Sequence, residues 1–117
     1  MSNHHQINYI EMPASDIAAT KVFFSKVFGW QFTDYGTEYT AFTSSGIDGG
    51  FFQAPLSGKS ANGAALVVIY SDKLEDTMRC VEAAGGVTTK QPFEFPGGRR
   101  FHFTEPSGNE LAVWSDR

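Results

Sequence analysis

The sequence predicts an α+β fold built from two βαβββ modules. Three observations support this prediction. The interval between an Asp and a later Gly is the same in Asp16 to Gly29 and in Asp72 to Gly85. A short apolar segment precedes each interval, and three short segments typical of strands follow it. A pattern that recurs in this way indicates a duplicated structural unit.

Both Asp-to-Gly intervals are predicted to be helices, covering Ile17 to Phe28 and Lys73 to Ala84. An Asp at the N-cap accepts hydrogen bonds from the free amides of the first turn, and Asp72 with Glu75 resembles a capping box. A Gly after the last turn suits the left-handed conformation that ends many helices. In the first helix one face is largely apolar and is expected to be buried: Thr20, Phe23, Phe24, Val27 and Phe28.

The predicted strands are short, and breaks rich in Gly, Ser or Pro separate them. They are Ile7–Pro13, Gln31–Asp34, Tyr39–Thr43 and Gly49–Gln53 in the first half, and Ala64–Tyr70, Val87–Phe95, Arg100–Thr104 and Glu110–Trp114 in the second. Residues 55–63 are rich in Gly, Ser and Asn and are predicted to be a linker. We therefore expect one domain over residues 1–117, with modules at 7–54 and 64–115.

The composition excludes several classes of function. The formal net charge is -4, and the basic residues are scattered, so nucleic-acid binding is disfavoured. No apolar run approaches the roughly 20 residues that a membrane helix needs. The segment Met1–Gln6 is polar, unlike a secretory signal, and Cys80 is the only cysteine. These features predict a cytoplasmic protein without an intrachain disulfide.

Four stretches carry a family likeness: INYIEMPASD at 7–16, FFSKVFGW at 23–30, VEAAGG at 81–86 and FTEPSGNELAVW at 103–114. On these stretches the chain resembles the vicinal oxygen chelate superfamily. Glyoxalase I, bleomycin resistance proteins, fosfomycin resistance proteins and extradiol dioxygenases belong to it. The resemblance implies paired modules whose curved mixed sheets surround a cleft, a small-molecule ligand and a homodimer.

The resemblance also implies where a metal ion would be bound. Family members take ligands from the first strand of each module, a later strand of the first module and the last strand. Those positions fall at Tyr9, Leu66, the acid-free segment Gly49–Gln53, and Ala112. Because Leu and Ala have no ligand atoms, the usual metal site is expected to be missing and no cofactor is expected. Glyoxalase I and extradiol dioxygenase activities are therefore disfavoured.

Alternation along the strands predicts which side chains line the cleft. Arg100 and His102 alternate with Phe101 and Phe103, which are expected to pack beneath a helix. By resemblance to fosfomycin resistance proteins, His102 is also expected to contact substrate. Glu11 and His102 are the candidate catalytic residues, and the candidate substrate-binding residues are Arg100, Tyr9, Tyr70, Glu110 and Trp114.

Three interpretations of these residues remain open. In the first, Arg100 binds an anion through its planar fork, and His102 acts as acid or base with Glu11 orienting it. In the second, Glu11, His102 and Glu110 form a relocated divalent-metal site. In the third, Glu11 and Arg100 form a buried ion pair and His102 is a core residue.

The sequence therefore predicts a small-molecule-binding protein or a metal-independent enzyme that acts on a small anionic or aromatic ligand. One alternative is a divalent-metal-dependent lyase or dioxygenase with displaced ligands. The other is a non-catalytic protein that sequesters a drug or metabolite. Replacing His102 would reduce turnover in an enzyme but leave affinity largely intact in a sequestering protein.

Overall fold

The computed structural model describes residues 4–117. It contains eight strands, two α-helices and a short 3-10 helix. In chain order they are β1 Tyr9–Ala14, α1 Ile17–Phe28, β2 Gln31–Asp34, β3 Tyr39–Thr43, β4 Asp48–Gln53, the 3-10 helix Ser60–Asn62, β5 Val67–Tyr70, α2 Leu74–Ala83, β6 Val87–Phe95, β7 Gly98–Thr104 and β8 Glu110–Ser115.

The strands form two four-stranded sheets of identical topology, in the orders β1-β4-β3-β2 and β5-β8-β7-β6. In each sheet the first strand pairs with the last in parallel, whereas the remaining pairs are antiparallel. Neither sheet closes on itself. The predicted α+β fold with two mixed sheets and two helices is confirmed.

Helix α1 begins and ends where the sequence predicts. The Asp16 carboxylate accepts a hydrogen bond from the Ala19 amide at 3.0 Å, and Gly29 adopts a left-handed conformation with φ of 74°. The predicted apolar face packs into the core, with Thr20, Phe23 and Phe24 buried. This packing fixes the orientation of both sheets around the helix.

Helix α2 begins differently from the prediction. Its N-cap is Lys73, which makes no side-chain capping bond, and Asp72 does not cap the helix. Instead the Ser71 hydroxyl accepts from the Lys73 amide at 3.0 Å. Glu75, the expected partner in a capping box, is bound by Arg99, whose Nη2 lies 3.1 Å from its Oε1. Glu75 thus contacts a charged residue of β7.

Aromatic side chains of α1 join the two sheets into one core. The ring of Phe24 lies 5.4 Å from that of Phe51 on β4, and the ring of Phe23 lies 5.8 Å from that of Phe103 on β7. Phe101 and Phe103 are fully buried, as predicted. Because side chains alternate along a strand, Arg100 and His102 lie on the opposite face of β7.

The turn between β7 and β8 fastens the second sheet to the first module. The Asn109 side-chain amide donates to the Pro13 carbonyl at 2.7 Å, and the Asp16 amide donates to the Ser107 hydroxyl at 3.1 Å. Glu105, only 3% exposed, accepts from the Thr20 hydroxyl at 3.0 Å. Burial raises the pKa of Glu105 to about 7.

Neither of the α-helices within residues 4–117 combines the length and the apolar composition that crossing a membrane requires.

Candidate functional site

His102 and Glu110 form a close pair on β7 and β8. The Nδ1 atom of His102 lies 2.9 Å from Oε2 of Glu110, and the Ser60 amide donates to Oε1 of the same carboxylate at 2.8 Å. The contact with His102 and then the Ser60 amide hold the pKa of Glu110 below its usual value. An ionised carboxylate only accepts hydrogen bonds, so Nδ1 of His102 is the donor in this pair.

Two nitrogen atoms on this face of β7 have no hydrogen-bond partner among the described residues. They are Nε of Arg100 and Nε2 of His102, and both are buried. A buried polar atom without a partner costs about 1–3 kcal/mol. The two residues are separated by one position on a strand, so their side chains lie next to each other on one face. The fold therefore brings together two unsatisfied polar atoms at one place.

Arg100 is held between two aromatic rings of the neighbouring strand. Its guanidinium carbon lies 5.3 Å from the centre of the Phe93 ring and 5.4 Å from that of Phe95. Such cation–π contacts stabilise a guanidinium without using its N–H donors. Phe93 is also directly opposite Arg100 in the β6–β7 register.

Trp114 and Tyr70 extend this apolar surface across the sheet. Trp114 is opposite Arg100 in the β7–β8 register and opposite Tyr70 in the β5–β8 register. The Trp114 ring lies 5.1 Å from the Tyr70 ring and 6.3 Å from the Phe95 ring. We refer to the surface that surrounds Arg100 and His102 as the aromatic face; it consists of Tyr70, Phe93, Phe95 and Trp114.

Glu11 does not join Arg100 or His102, although it was expected to orient the histidine. It lies on β1 in the other sheet, and its carboxylate accepts from the Tyr39 hydroxyl at 2.9 Å. Within residues 4–117 it forms no ion pair with Arg100 and no hydrogen bond with His102. The interpretation of Glu11 and Arg100 as a buried ion pair is therefore wrong. Glu110, rather than Glu11, contacts the histidine.

The two sheets nevertheless share one recess at the point where β1 and β5 lie close together. It has a volume of about 130 Å³ and is lined in part by Glu11 of the first sheet and Glu110 of the second. Tyr9 is grouped with Glu11 on the first sheet, because its hydroxyl lies 2.6 Å from that of Tyr39, which donates to Glu11. The candidate residues thus form two groups, and each group contributes one residue to the lining of this recess, Glu11 from the first sheet and Glu110 from the second.

The side chains at the family's ligand positions do not fit a divalent metal ion. Leu66 and Ala112 offer no ligand atom, and the hydroxyl of Tyr9 is bound to Tyr39. In the described part of the chain, no three His, Cys, Asp or Glu side chains are grouped so that they could hold a metal ion. Glu11, His102 and Glu110 accordingly do not form such a group.

Sequence reasoning missed three residues near these groups: Tyr39, Phe93 and Phe95. The alternation of Phe93 and Phe95 directly before the turn that leads to Arg100 was a usable signal, because a hairpin places such residues opposite each other. No comparable signal pointed to Tyr39, whose contacts depend on the order of three strands.

Comparison with protein families shows to which family the chain belongs. The family model described as "Glyoxalase/Bleomycin resistance protein/Dioxygenase superfamily" matches residues 6–113. The chain belongs to this superfamily. Two curated relatives are the anthracycline biosynthesis proteins DnrV of Streptomyces peucetius, 30% identical, and DauV of Streptomyces sp. (strain C5), 31% identical. Each alignment covers 91% of this chain but 45% of the relative, so the chain spans less than half their length.

Solved structures of other superfamily members have the same fold. A glyoxalase-related enzyme from Fulvimarina pelagi superimposes with a TM-score of 0.78 at 16% identity, covering 95% of this chain and 88% of that one. A glyoxalase/bleomycin resistance protein/dioxygenase family enzyme from Burkholderia phytofirmans PsJN gives 0.79 at 17% identity, with coverages of 95% and 98%. At such identities the likeness establishes the fold but not the activity, because this fold accommodates many reactions.

Proposed function

We propose that this superfamily member binds a small aromatic anion on the aromatic face, and that the His102–Glu110 pair gives the site acid–base chemistry without a metal ion. The observation that carries the proposal is the pair of buried, unpartnered nitrogens of Arg100 and His102. Buried polar atoms are almost always hydrogen-bonded, so a ligand that offers an acceptor to Nε of Arg100 and a hydrogen-bond donor to Nε2 of His102 would stabilise both.

The charges around this face support an anionic ligand. Arg100 carries a permanent charge, and Lys90 lies opposite His102 in the β6–β7 register. The Lys90 ammonium is 5.9 Å from the centre of the Phe93 ring. Glu110 is the acid in contact with His102, and its carboxylate is already bound by His102 and Ser60. A carboxylate or a similar oxyanion therefore has the charge that this site needs.

The four rings of the aromatic face support a flat apolar body for the ligand. Ligand sites are commonly apolar surfaces on which a few polar groups fix the orientation. The two curated relatives are named anthracycline biosynthesis proteins, and anthracyclines are polycyclic aromatic compounds. By analogy we infer an aromatic or polycyclic ligand.

The His102–Glu110 pair supports acid–base chemistry on that ligand. Because Nδ1 donates to Glu110, the Nε2 lone pair of the neutral imidazole is available as a general base. Glu110 would hold the ring in this orientation and stabilise the imidazolium that forms when Nε2 takes up a proton. Proton transfer to or from the bound ligand is the reaction that these residues support.

Quenching of Trp114 fluorescence tests the binding proposal. In a Trp30→Phe variant Trp114 is the only tryptophan, because the chain has 2. Trp30 is stacked on Phe24 and Phe42, so phenylalanine keeps an aromatic ring there. Anthraquinone-2-carboxylate should quench Trp114 with saturation, and the neutral anthraquinone-2-carboxamide should require about tenfold higher concentration. Equal quenching by both compounds, or none, would contradict the proposal.

We also infer that the chain forms a homodimer, as the family resemblance implies. Apolar side chains that remain exposed in the single chain support this inference: Ile7, Leu56, Val68 and Val87. Light scattering coupled to size-exclusion chromatography would give twice the 12.8 kDa chain mass for a dimer, and the chain mass itself would contradict it. The cytoplasmic location stays a prediction.

A further inference from the structure

Three polar side chains of the first sheet form a hydrogen-bonded chain. The Tyr39 hydroxyl donates to Oε2 of Glu11 at 2.9 Å, and the Tyr9 hydroxyl lies 2.6 Å from the Tyr39 hydroxyl. The three residues come from β1 and β3, which are separated in the sheet by β4. We refer to Tyr9, Tyr39 and Glu11 as the tyrosine chain.

Gly50 makes this chain sterically feasible. It is opposite Glu11 in the β1–β4 register and opposite Ala41 in the β3–β4 register, so it lies between the two strands that supply the chain. A Cβ atom at Gly50 would collide with the hydroxyl and ring of Tyr39. The absent side chain lets Tyr39 lie across β4 and reach Glu11, which is a recognised use of glycine within a strand.

The direction of the hydrogen bonds determines what the free end of the chain can bind. An ionised Glu11 only accepts hydrogen bonds, so the Tyr39 hydroxyl donates a hydrogen bond to Glu11 and the Tyr9 hydroxyl donates one to Tyr39. The Tyr9 oxygen keeps its lone pairs and acts as an acceptor. Burial, together with the contacts to Tyr9 and Glu11, raises the pKa of Tyr39, so this residue remains a donor at neutral pH. The tyrosine chain therefore presents acceptors only.

We propose that the tyrosine chain is a second recognition point, which binds a hydrogen-bond-donating substituent, a hydroxyl or an amino group, on the ring of the ligand. This inference rests on the proposed binding of an aromatic anion. It is supported by the recess that both Glu11 and Glu110 line, because this recess brings one residue of the tyrosine chain and one residue of the His102–Glu110 pair to the same opening. The anionic group would contact the second sheet and the donor group the first.

Calorimetric titration with three naphthoates tests this inference. The probes are 6-hydroxy-2-naphthoate, 6-amino-2-naphthoate and 6-methoxy-2-naphthoate, of which the last is similar in size but has no donor. The native protein should bind the hydroxy and amino compounds about tenfold more tightly than the methoxy compound. The methoxy group has no hydrogen to donate, so it cannot form a hydrogen bond with the acceptors of the tyrosine chain. Tyr39→Phe should abolish this preference, because it removes the hydroxyl through which Tyr9 and Glu11 are linked by hydrogen bonds.

Tyr35→Phe is the matched control, because Tyr35 is an exposed tyrosine of the same module whose hydroxyl makes no hydrogen bond with residues 4–117. It should keep the full preference. Gly50→Ala provides a second variant, which should lose the preference because its Cβ displaces Tyr39.

The outcomes separate the two proposals. If the native protein binds all three naphthoates equally, or if Tyr39→Phe keeps the preference, the tyrosine chain is not a recognition point while the aromatic-anion site stands. If none of the naphthoates binds, the proposed function fails and this inference fails with it.

Discussion

The imidazole of His102 and the carboxylate of Glu110 lie 2.9 Å apart on adjacent strands, with the histidine only 3% exposed. Ala112 and Leu66, at the positions where the family resemblance implies metal ligands, offer no ligand atom, and the pair lies on the same face of the second sheet as Arg100. A histidine oriented by a carboxylate is a common arrangement for a general base.

Removing the charge of Glu110 should destabilise the fold. In Glu110→Gln the amide cannot accept from both His102 and the Ser60 amide, so one donor loses its partner. We expect the free energy of unfolding to fall by about 1–3 kcal/mol. Urea denaturation at pH 7 measures this change. Glu38→Gln, at an exposed residue whose side chain makes no hydrogen bond or ion pair within the described residues 4–117, should leave the midpoint unaltered, and an equal effect of both substitutions would contradict the pairing.

Glu105 should make the protein less stable as the pH rises. Its pKa is raised by burial to about 7 from the ordinary 4.5, so between these values the folded state retains a proton that the unfolded state releases. The free energy of unfolding should therefore decrease by about 3 kcal/mol as the pH rises from below 4.5 to above 7. The contribution of Glu105 to the free energy of unfolding is fully present below the pKa of the unfolded state, and it is lost as the pH rises through the pKa of the folded state.

Glu105→Gln should remove this contribution, because an amide carries no charge at any pH. Urea denaturation at several pH values between 4.5 and 8 should show a flatter profile for the variant than for the native protein. Glu94→Gln, at an exposed position, should keep the native profile. The interpretation fails if Glu105→Gln and the native protein show the same dependence on pH.

Arg100→Lys should weaken the binding of an aromatic anion by about tenfold. Lysine keeps the charge but loses both the planar fork and the stacking between Phe93 and Phe95. The affinity of anthraquinone-2-carboxylate, measured through Trp114 fluorescence in the Trp30→Phe background, reports the effect. Arg79→Lys is the control, because Arg79 is exposed and pairs with Asp76 on α2. Unchanged affinity in Arg100→Lys would remove this residue from the site.

Gly49→Ala should destabilise the first sheet. A Cβ atom there would collide with the Ile10 carbonyl oxygen and the Phe42 ring, so β4 would have to shift. Overpacking of this kind costs about 1–3 kcal/mol. Thermal denaturation should show a lower midpoint for this variant than for Gly58→Ala, where the nearest atom, Cβ of Ala64, lies 3.4 Å away. Equal midpoints would show that β4 can move aside without cost.

The sequence predicted those features of the fold that local signals control. Helix α1 begins after Asp16 and ends before Gly29, because the side-chain preference of the one and the backbone preference of the other act within one helical turn. The alternation of side chains along β7 predicted that Phe101 and Phe103 lie in the core, and hence that Arg100 and His102 lie on the opposite face of the strand. These are short-range properties of a helix cap and of a strand.

The partners of the candidate residues depend on contacts that no local signal reveals. Glu110 contacts His102 diagonally across two strands, and Tyr39 reaches Glu11 only because β4 lies between their strands and carries Gly50 there. Lys90 faces His102 between two register shifts in β6, and such shifts cannot be located from alternation alone.

An aromatic anion should bind beside Arg100 and His102 without a metal ion. Amide and side-chain NMR spectra of 15N-labelled protein, titrated with 2-naphthoate in the presence of EDTA, test it most directly. We expect saturable shifts that are largest at Arg100, His102 and Trp114, and unchanged signals at Lys21 and Asp34, an ion pair between α1 and β2 with 2.8 Å between Nζ and Oδ1. An absence of shifts, or shifts centred on Lys21 and Asp34, would show that the anion does not bind beside Arg100 and His102.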